Sequence, residues 1–479
     1  MKHISYIFLY LYLITPFLFP QSRDDLQFSI DSILADEFFN SSIAAVLVYD
    51  LTAGEYLYNR YEKMLLHPAS NMKVLTSSAG LVFLTPEYTF KTKLAYTGQI
   101  INKTLYGDLY IVGGMDPDFT SIDLDTIVNG FISTGVKEIS GSLFGDVSIM
   151  DSLFWGQGWM WDDDPSTDAP YMTALNINDN AVEIILNAGK TGNPANISTE
   201  PKSSFFEIKN NSTTVSNPKE EDISISRDWI NRTNKILING SISADRKGSR
   251  FKVNVYNPKL YFLNLLREKL TDNGIKISGT IKFDTLPDFG KVISTIYRRY
   301  DSVIVNLNKT SDNLSAEMTL RAMGEKIFGA PADAQKGLRL IDSLISLSGL
   351  EPSVYRLVDG SGVSHYNLVS AELLVSILKY IYFKQPELFE ILYNSFPIAG
   401  VDGTLRSRMK GSPAQNNVHA KTGTLSGVSA LSGYIKTDNG NMLTFSMLIQ
   451  NHVRNNSTAV YFQNEICNLL AKYTGVISH

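Results

Sequence analysis

The sequence predicts a mixed α/β (α+β) fold, in which an antiparallel sheet with helices on both sides carries a long, mostly β insert. Helical and strand patterns at both ends of the chain can share one sheet. Between Tyr88 and Asp288 the pattern changes to short alternating strands. The 479 residues are too many for one ordinary core, so we expect two or three domains.

The first part of the main domain, 22–86, contains a helix, a strand pair and a second helix. An apolar helical pattern occupies residues 24–40, and "SSIAAVLVYDLTAGEYLYNR" predicts two strands joined by a turn at 52–54. The stretch "NMKVLTSSAGLVFL" predicts the second helix, which Pro86 ends.

The insert is expected to span 87–288. Gly, Asn, Asp and Pro separate strands such as "TLYGDLYIVGG" and "GSLFGDVSI", and the most polar part, 186–250, predicts a small β module. The second part of the main domain, 289–479, combines helices such as "AQKGLRLIDSLISLSG" with a strand pair within "VSALSGYIKTDNGNMLTFSMLIQ" and a final helix.

The first 21 residues predict a signal peptide, because Lys2 and His3 precede an apolar run. An uncleaved anchor is the alternative, but the run is shorter than the ~20 residues of a full span and Pro16 interrupts it. We therefore expect an exported protein, periplasmic or cell-wall associated, with no stable membrane span after cleavage.

Composition narrows the function classes. A net charge of −5 offers no basic surface for nucleic acid. The six histidines have no metal-ligand spacing, and His67 and His419 are interpreted as satisfied polar residues. The acidic run 162–164 resembles a solvated loop more than a calcium site, so no metal or cofactor is expected. The aromatic stretch "FWGQGWMW" before it could line a cleft or pack in a core.

A serine precedes a lysine by three residues in "HPASNMKVLT", where Ser70 and Lys73 stand at the start of a predicted helix. Such side chains share one face, and the first helical turn has free backbone N–H groups. The same spacing recurs at four other serines, which lack a helix start: Ser216, Ser249, Ser376 and Ser407. Ser70 is therefore the best candidate nucleophile.

Two further motifs follow Ser70 along the chain. Ser311 and Asn313 in "KTSDNLSAE" form the single Ser-x-Asn and precede a helix, where they could simply cap it. Lys421 begins a Lys-Thr-Gly that runs into a strand, whereas the Lys-Thr-Gly at Lys190 is interpreted as a hairpin turn.

Ser-x-x-Lys, Ser-x-Asn and Lys-Thr-Gly in this order resemble the signature of penicillin-recognising serine enzymes. The long gap between the first two motifs is similar to that of the D-Ala-D-Ala carboxypeptidase/endopeptidase family of low-molecular-mass (class C) penicillin-binding proteins. The stretches "GDLYIVGGMDP", "DGSGVSHYNLVS" and "FPIAGVDGTLRSR" support the resemblance. His365 departs from it, because arginine is expected there. The resemblance implies a β-lactamase/transpeptidase-like main domain.

The resemblance also implies catalytic roles. Ser70 attacks the peptide carbonyl and becomes acylated, and Lys73 accepts its proton. A neutral lysine requires a lowered pKa, which we expect from burial and from the nearby Lys421. Ser311 relays a proton to the leaving amine, and Asn313 binds the substrate amide.

The remaining roles concern substrate binding. Lys421 and Thr422 would hold the terminal carboxylate, and Gly423 would let the substrate backbone approach the strand. The backbone N–H groups of Ser70 and Thr424 would form the oxyanion hole.

The function predicted from the sequence is an exported serine DD-peptidase that cleaves D-Ala-D-Ala termini or D-Ala cross-links of peptidoglycan. Its expected partners are stem peptides and, as covalent inhibitors, β-lactams. The alternatives are another serine hydrolase on the same scaffold (an esterase, β-lactamase or D-amino-acid peptidase) or a sensor that is acylated without turnover.

Overall fold

The computed structural model describes residues 22–475, so the predicted signal peptide lies outside the described residues. The main domain begins with α1 (Arg23–Ile33), β1 (Ile43–Asp50), β2 (Glu55–Arg60) and α2 (Met72–Phe83). Asp50 closes the predicted hairpin, because its carboxylate accepts the backbone N–H groups of Thr52 and Ala53 at 2.8 Å each. Within 22–475, no helix combines the length and apolarity that crossing a membrane requires.

The insert contains the next fifteen strands and two helices. In chain order they are β3 (Thr89–Tyr96), β4 (Gln99–Ile101), β5 (Thr104–Tyr106), β6 (Leu109–Val112), α3 (Ser121–Ile132), β7 (Glu138–Ile139), β8 (Leu143–Asp146), β9 (Ala181–Asn187), β10 (Asn196–Glu200), β11 (Glu207–Val215), β12 (Ser224–Arg227), β13 (Lys235–Ser243), β14 (Ser249–Asn254), α4 (Pro258–Asp272), β15 (Lys276–Ile277), β16 (Ile281–Phe283) and β17 (Lys291–Arg299).

Strand pairing bears on the predicted end of the insert and on the bounds of the small β module. β17 pairs with β3 along its length, in the sheet ordered β16-β8-β6-β3-β17, which favours an insert that ends near Arg299 rather than at 288. The predicted small module, about 186–250, lies within strands that run from 181 to 254, where β9 pairs with both β10 and β14. Its second sheet has the order β11-β13-β12.

The second part of the main domain adds six helices and three strands to the described residues. They are α5 (Tyr300–Lys309), α6 (Asn313–Phe328), α7 (Ala334–Leu347), α8 (Ala371–Lys384), α9 (Pro386–Ser395), β18 (His419–Leu425), β19 (Val428–Lys436), β20 (Met442–Gln450) and α10 (Asn456–Lys472). The amphipathic α7 begins at its N-cap Asp333 and buries Leu338, Ile341 and Leu344.

Both ends of the chain share one sheet, as predicted. Its order is β18-β19-β20-β1-β2, and every neighbouring pair is antiparallel. α1 and α10 pack on one face, and α8 packs on the other. β20 is buried throughout because both faces are covered. The predicted fold class is confirmed.

Helix α2 positions the functional site. It contacts α6, α7 and α8, and the turn before it contacts β18. Its residues from Met72 to Leu81 are all buried, which explains the nearly continuous run of apolar and small residues there. A lysine in this helix is therefore held inside the domain.

Candidate active site

Ser70 lies in a 3₁₀ turn (Ala69–Asn71) that runs directly into α2. The Lys73 Nζ donates to the Ser70 Oγ at 3.0 Å, so the structure brings the two residues together as the spacing predicts. Lys73 is fully buried, and its amine also donates to the Ser361 carbonyl at 2.8 Å and to the Asn313 Oδ1. These acceptors hold the amine beside the hydroxyl.

The Ser-x-Asn motif connects α5 to α6. Its middle residue, Asp312, caps α6 by accepting the Ser315 N–H, so the capping interpretation holds for that residue alone. Ser311 has a φ of 67°, a left-handed conformation that is uncommon outside glycine and clusters at functional sites. Its Oγ accepts from the Lys421 Nζ at 2.8 Å. The motif therefore connects the two buried lysines, because Asn313 contacts Lys73 and Ser311 contacts Lys421.

Lys421, Thr422 and Gly423 lie within β18, the edge strand of the sheet, rather than ahead of a strand. A Cβ on Gly423 would lie 2.8 Å from the Pro68 carbonyl and 3.0 Å from the Asn71 Nδ2. Glycine at this position thus lets β18 pack against the turn Ala69–Asn71, which contains Ser70. This contact differs from the predicted reason for the glycine, which was the approach of a substrate backbone.

One cavity of about 350 Å³ joins the three motifs. The predicted site residues that line it are Ser70, Ser311, Asn313, Thr422, Gly423 and Thr424. Lys73 and Lys421 lie behind this lining and are fully buried. The Thr404 hydroxyl, 2.7 Å from that of Thr422, extends the wall.

The insert forms part of the same cavity, which the sequence did not predict. Asp163, Ser166 and Asp168 line it, and the Asn313 side-chain amide donates to the Asp168 carbonyl. The sequence offered little sign of this contact, because Asn313 and Asp168 are 145 positions apart. Insert and main domain therefore build the cavity together.

Burial determines the protonation of the two lysines. It lowers the pKa of Lys73 to about 8, against the opposing effect of Asp312 and other carboxylates. Burial, followed by the charge of Lys73, lowers the pKa of Lys421 well below its ordinary value. Because the repulsion between two like charges is mutual, a charge on either lysine disfavours a charge on the other.

A buried acidic residue supports the loop beside Lys73. Glu317 on α6 accepts the backbone N–H groups of Gly360 and Ser361, each at 2.9 Å. It also pairs with Arg321 at 2.9 Å, and both side chains are buried. Since the Ser361 carbonyl accepts from Lys73, this pair fixes an acceptor of the candidate base. The local sequence around Glu317 gives no sign of this role, because Gly360 and Ser361 lie more than 40 positions away.

Asp359 connects this loop to the insert. It accepts the Trp159 Nε1–H at 2.9 Å, the Gly362 N–H at 2.8 Å and the Asn367 amide at 2.7 Å. Gly362 has a φ of 86°, and a Cβ there would lie 1.9 Å from the Ala69 carbonyl. Glycine is thus required at position 362 of the stretch "DGSGVSHYNLVS", because the loop packs closely against the turn that contains Ser70.

The competing sequence candidates lie elsewhere in the described part of the chain. Ser216 follows β11, Ser249 begins β14, Ser376 lies in α8 and Ser407 lies in a turn, and the cavity lining contains none of them. The Lys-Thr-Gly that begins at Lys190 lies in the exposed connection between β9 and β10, as predicted.

The remaining polar candidates have protein partners. His67 and His419 each pair with a backbone carbonyl through Nδ1, at 3.2 and 3.0 Å. The ring of His365 lies 5.6 Å from that of His67. Asp163 accepts a backbone N–H, and Asp164 pairs with a buried arginine. Across 22–475, no cluster of His, Cys, Asp and Glu could hold a metal ion.

Known proteins resemble this chain over almost its whole length. A D-alanyl-D-alanine carboxypeptidase from Actinomadura sp. is 31% identical over 467 residues, which cover 94% of this chain and 85% of that protein. The D-alanyl-D-alanine carboxypeptidase DacB of Haemophilus influenzae is 29% identical, with 85% and 86% covered. The crystal structure of penicillin binding protein 4 from Haemophilus influenzae superposes with a TM-score of 0.82 at 26% identity, covering 93% of this chain and 99% of that one.

The family comparison agrees with the fold and with the order of the motifs. The D-Ala-D-Ala carboxypeptidase 3 (S13) family matches residues 26–473, which include both parts of the main domain and the whole insert. The predicted resemblance is confirmed, and the chain belongs to the D-Ala-D-Ala carboxypeptidase 3 (S13) family of peptidases.

Proposed function

We propose that this peptidase is an exported serine DD-peptidase that works through an acyl-Ser70 intermediate and acts on peptidoglycan stem peptides. The observation that carries the proposal is the Lys73 amine, held 3.0 Å from the Ser70 hydroxyl. Across the same cavity, Lys421 and Ser311 form a second pair at 2.8 Å. Each hydroxyl thus has its own amine for proton transfer.

Acylation follows from this arrangement. The Ser70 Oγ bonds to the carbonyl carbon of the D-Ala–D-Ala bond while the Lys73 Nζ takes its proton. The backbone N–H groups of Ser70 and Thr424, which both line the cavity, hold the oxyanion and contribute roughly 3–4 kcal/mol each. The C–N bond breaks as the Ser311 hydroxyl gives its proton to the leaving amine and takes a proton from the charged Lys421 amine beside it. Water then hydrolyses the acyl-Ser70 ester.

Substrate binding favours the reactive protonation state. With a pKa of about 8, roughly a tenth of Lys73 is neutral at pH 7 in the free enzyme. A terminal carboxylate beside Thr422 favours the charged form of Lys421. That charge in turn disfavours the charge on Lys73. The substrate therefore promotes the neutral amine that removes the Ser70 proton.

Recognition uses both walls of the cavity. Lys421 and Thr422 hold the terminal carboxylate, with Thr404 beside them, and Asn313 binds the substrate amide. β-Lactams acylate Ser70 because their strained amide mimics the scissile bond. A structure of Haemophilus influenzae penicillin binding protein 4 in complex with a β-lactam accords with this role. D-Ala cross-links are a second substrate class, cut as an endopeptidase.

The proposed activity is tested with bisacetylated Lys-D-Ala-D-Ala, by following release of free D-Ala. Wild type should release D-Ala, whereas Ser70→Ala should not. A D-Ala cross-linked muropeptide dimer, assayed in parallel, measures endopeptidase cleavage. Covalent labelling by a β-lactam without D-Ala release from either substrate would contradict the peptidase assignment and favour a sensor.

A further inference from the structure

A second groove, of about 300 Å³, lies on the insert beside the catalytic cavity. It is here termed the aromatic groove, and its principal lining residues are Phe154, Trp155, Trp161, Tyr171, Trp229 and Arg232. One chain segment serves both sites, because residues 163, 166 and 168 line the catalytic cavity while 161 and 164 line the groove. The two sites are therefore neighbours.

The aromatic groove exposes rings that ordinary folding would bury. Trp161 is 74% exposed, and its ring lies 5.0 Å from that of Trp229 with a tilt of 33°. Phe154 is also exposed. Contiguous exposed aromatic surface of this kind typically marks a binding site. None of these residues contributes to the catalytic cavity.

A buried polar network makes the groove rigid. Asp164 forms a buried ion pair with Arg227. Asp164 follows Trp161 by three residues, and Arg227 precedes Trp229 by two, so the pair links the two segments. The Tyr171 hydroxyl donates to Asp164 at 2.8 Å, and the Arg227 guanidinium lies 5.6 Å from the Tyr171 ring centre. The network thus joins the two chain segments that carry the tryptophans before any ligand binds, which lowers the entropic cost of binding.

The chemistry of the groove fits a sugar ring. Aromatic faces carry partial negative charge and pack against the C–H groups of a pyranose, while the polar rim at Arg232 suits hydroxyl and acetamido oxygens. The carboxylate of Asp164 is occupied by Arg227, so the groove does not select a cation.

We propose that the aromatic groove binds the glycan strand of peptidoglycan, a polymer of N-acetylated hexosamines, while its stem peptide enters the catalytic cavity. This inference rests on the proposed function for the identity of the polymer. It adds a recognition site for the part of the substrate that does not react. The groove should therefore lower KM for glycan-linked peptides without changing the chemical step.

The test uses Trp161→Ala and Trp229→Ala, with Phe289→Ala as a matched control because Phe289 is 73% exposed outside the groove. Tetra-N-acetylchitotetraose is titrated calorimetrically into each protein. In parallel, KM and kcat are measured for a disaccharide pentapeptide and for the same pentapeptide without sugar. Stoichiometric β-lactam labelling of Ser70 confirms that each variant is folded.

We expect both tryptophan variants to lose tetrasaccharide binding and to raise KM for the disaccharide pentapeptide about five- to tenfold at unchanged kcat. The free pentapeptide should be cleaved equally by all four proteins. Absence of tetrasaccharide binding to wild type, or equal KM changes for both substrates, would overturn the inference. Because the titration needs no cleavage, it stands even if the proposed peptidase activity fails.

Discussion

Removing the substrate's terminal charge tests what Lys421 recognises. Lys421 is fully buried, and its amine contacts the Ser311 hydroxyl and the Thr422 carbonyl, each at 2.8 Å. Neither partner is an anion, so a substrate carboxylate would supply the missing negative charge. Amidating the terminal D-Ala should cost the wild type roughly 1.5–3 kcal/mol, the range for a hydrogen bond to a charged group. This corresponds to a loss of about 10- to 150-fold in kcat/KM.

The assay compares kcat/KM for acid and amide forms of bisacetylated Lys-D-Ala-D-Ala in wild type, Lys421→Ala and Lys190→Ala. Lys190→Ala is the matched control, because it removes the lysine of the second Lys-Thr-Gly. In Lys421→Ala both forms should be cleaved slowly and about equally, since the distinguishing contact is gone. The kcat/KM profile should keep an apparent pKa near 8, because burial rather than Lys421 lowers the pKa of Lys73.

Two results would refute this reasoning. Equal cleavage of the acid and amide substrates by wild type would show that no cation binds the terminal carboxylate of the substrate. An undiminished preference for the acid in Lys421→Ala would assign recognition to another group, such as the Thr404–Thr422 hydroxyl pair.

Three further predictions follow from the described residues. Lys73→Arg should lose β-lactam acylation nearly as fully as Lys73→Ala, because guanidinium stays protonated; rapid acylation measured by stopped flow would assign the base elsewhere. Burial raises the pKa of Asp118 to about 7, so the stability that its protonated form provides is lost as the pH rises through 7. The unfolding free energy of the wild type should therefore decrease between pH 5 and pH 8. In Asp118→Asn this decrease should be smaller by roughly 1 kcal/mol, a value that allows for the solvent contact of Asp118. An equal decrease in both proteins would contradict this prediction. Limited proteolysis should cut first within 210–222, whose second half, 216–222, is mostly exposed and connects β11 to β12. First cuts within 300–470 would contradict the proposed division of domains.

The motif residues could be selected from the sequence because each motif combines a reactive side chain with a recognisable local setting, and the structure brings them to one cavity. Ser70 and Lys73 need only a helix start to meet, so their 3.0 Å contact follows from spacing. The order of the three motifs then selected the Lys-Thr-Gly at Lys421 over the one at Lys190. The hairpin and the final strand pair were predicted by alternation and turn residues alone.

Other features depend on contacts between distant segments, which no local pattern contains. The pairing of β17 with β3 joins residues about 200 positions apart, so no local pattern indicated that β17 belongs to the sheet of the insert. Trp159 and Asp359 are also 200 positions apart, and their bond became visible only in the structure. The acceptors around the Lys73 amine also come from distant segments, because Asn313 and Ser361 lie 240 and 288 positions from Lys73.

Mass-spectrometric mapping of the β-lactam adduct tests the central claim most directly. Wild-type protein treated with a β-lactam should carry one adduct, on the peptide that contains Ser70, and Ser70→Ala should carry none. An adduct on Ser216, Ser249, Ser376 or Ser407, or labelling that persists in Ser70→Ala, would contradict the account.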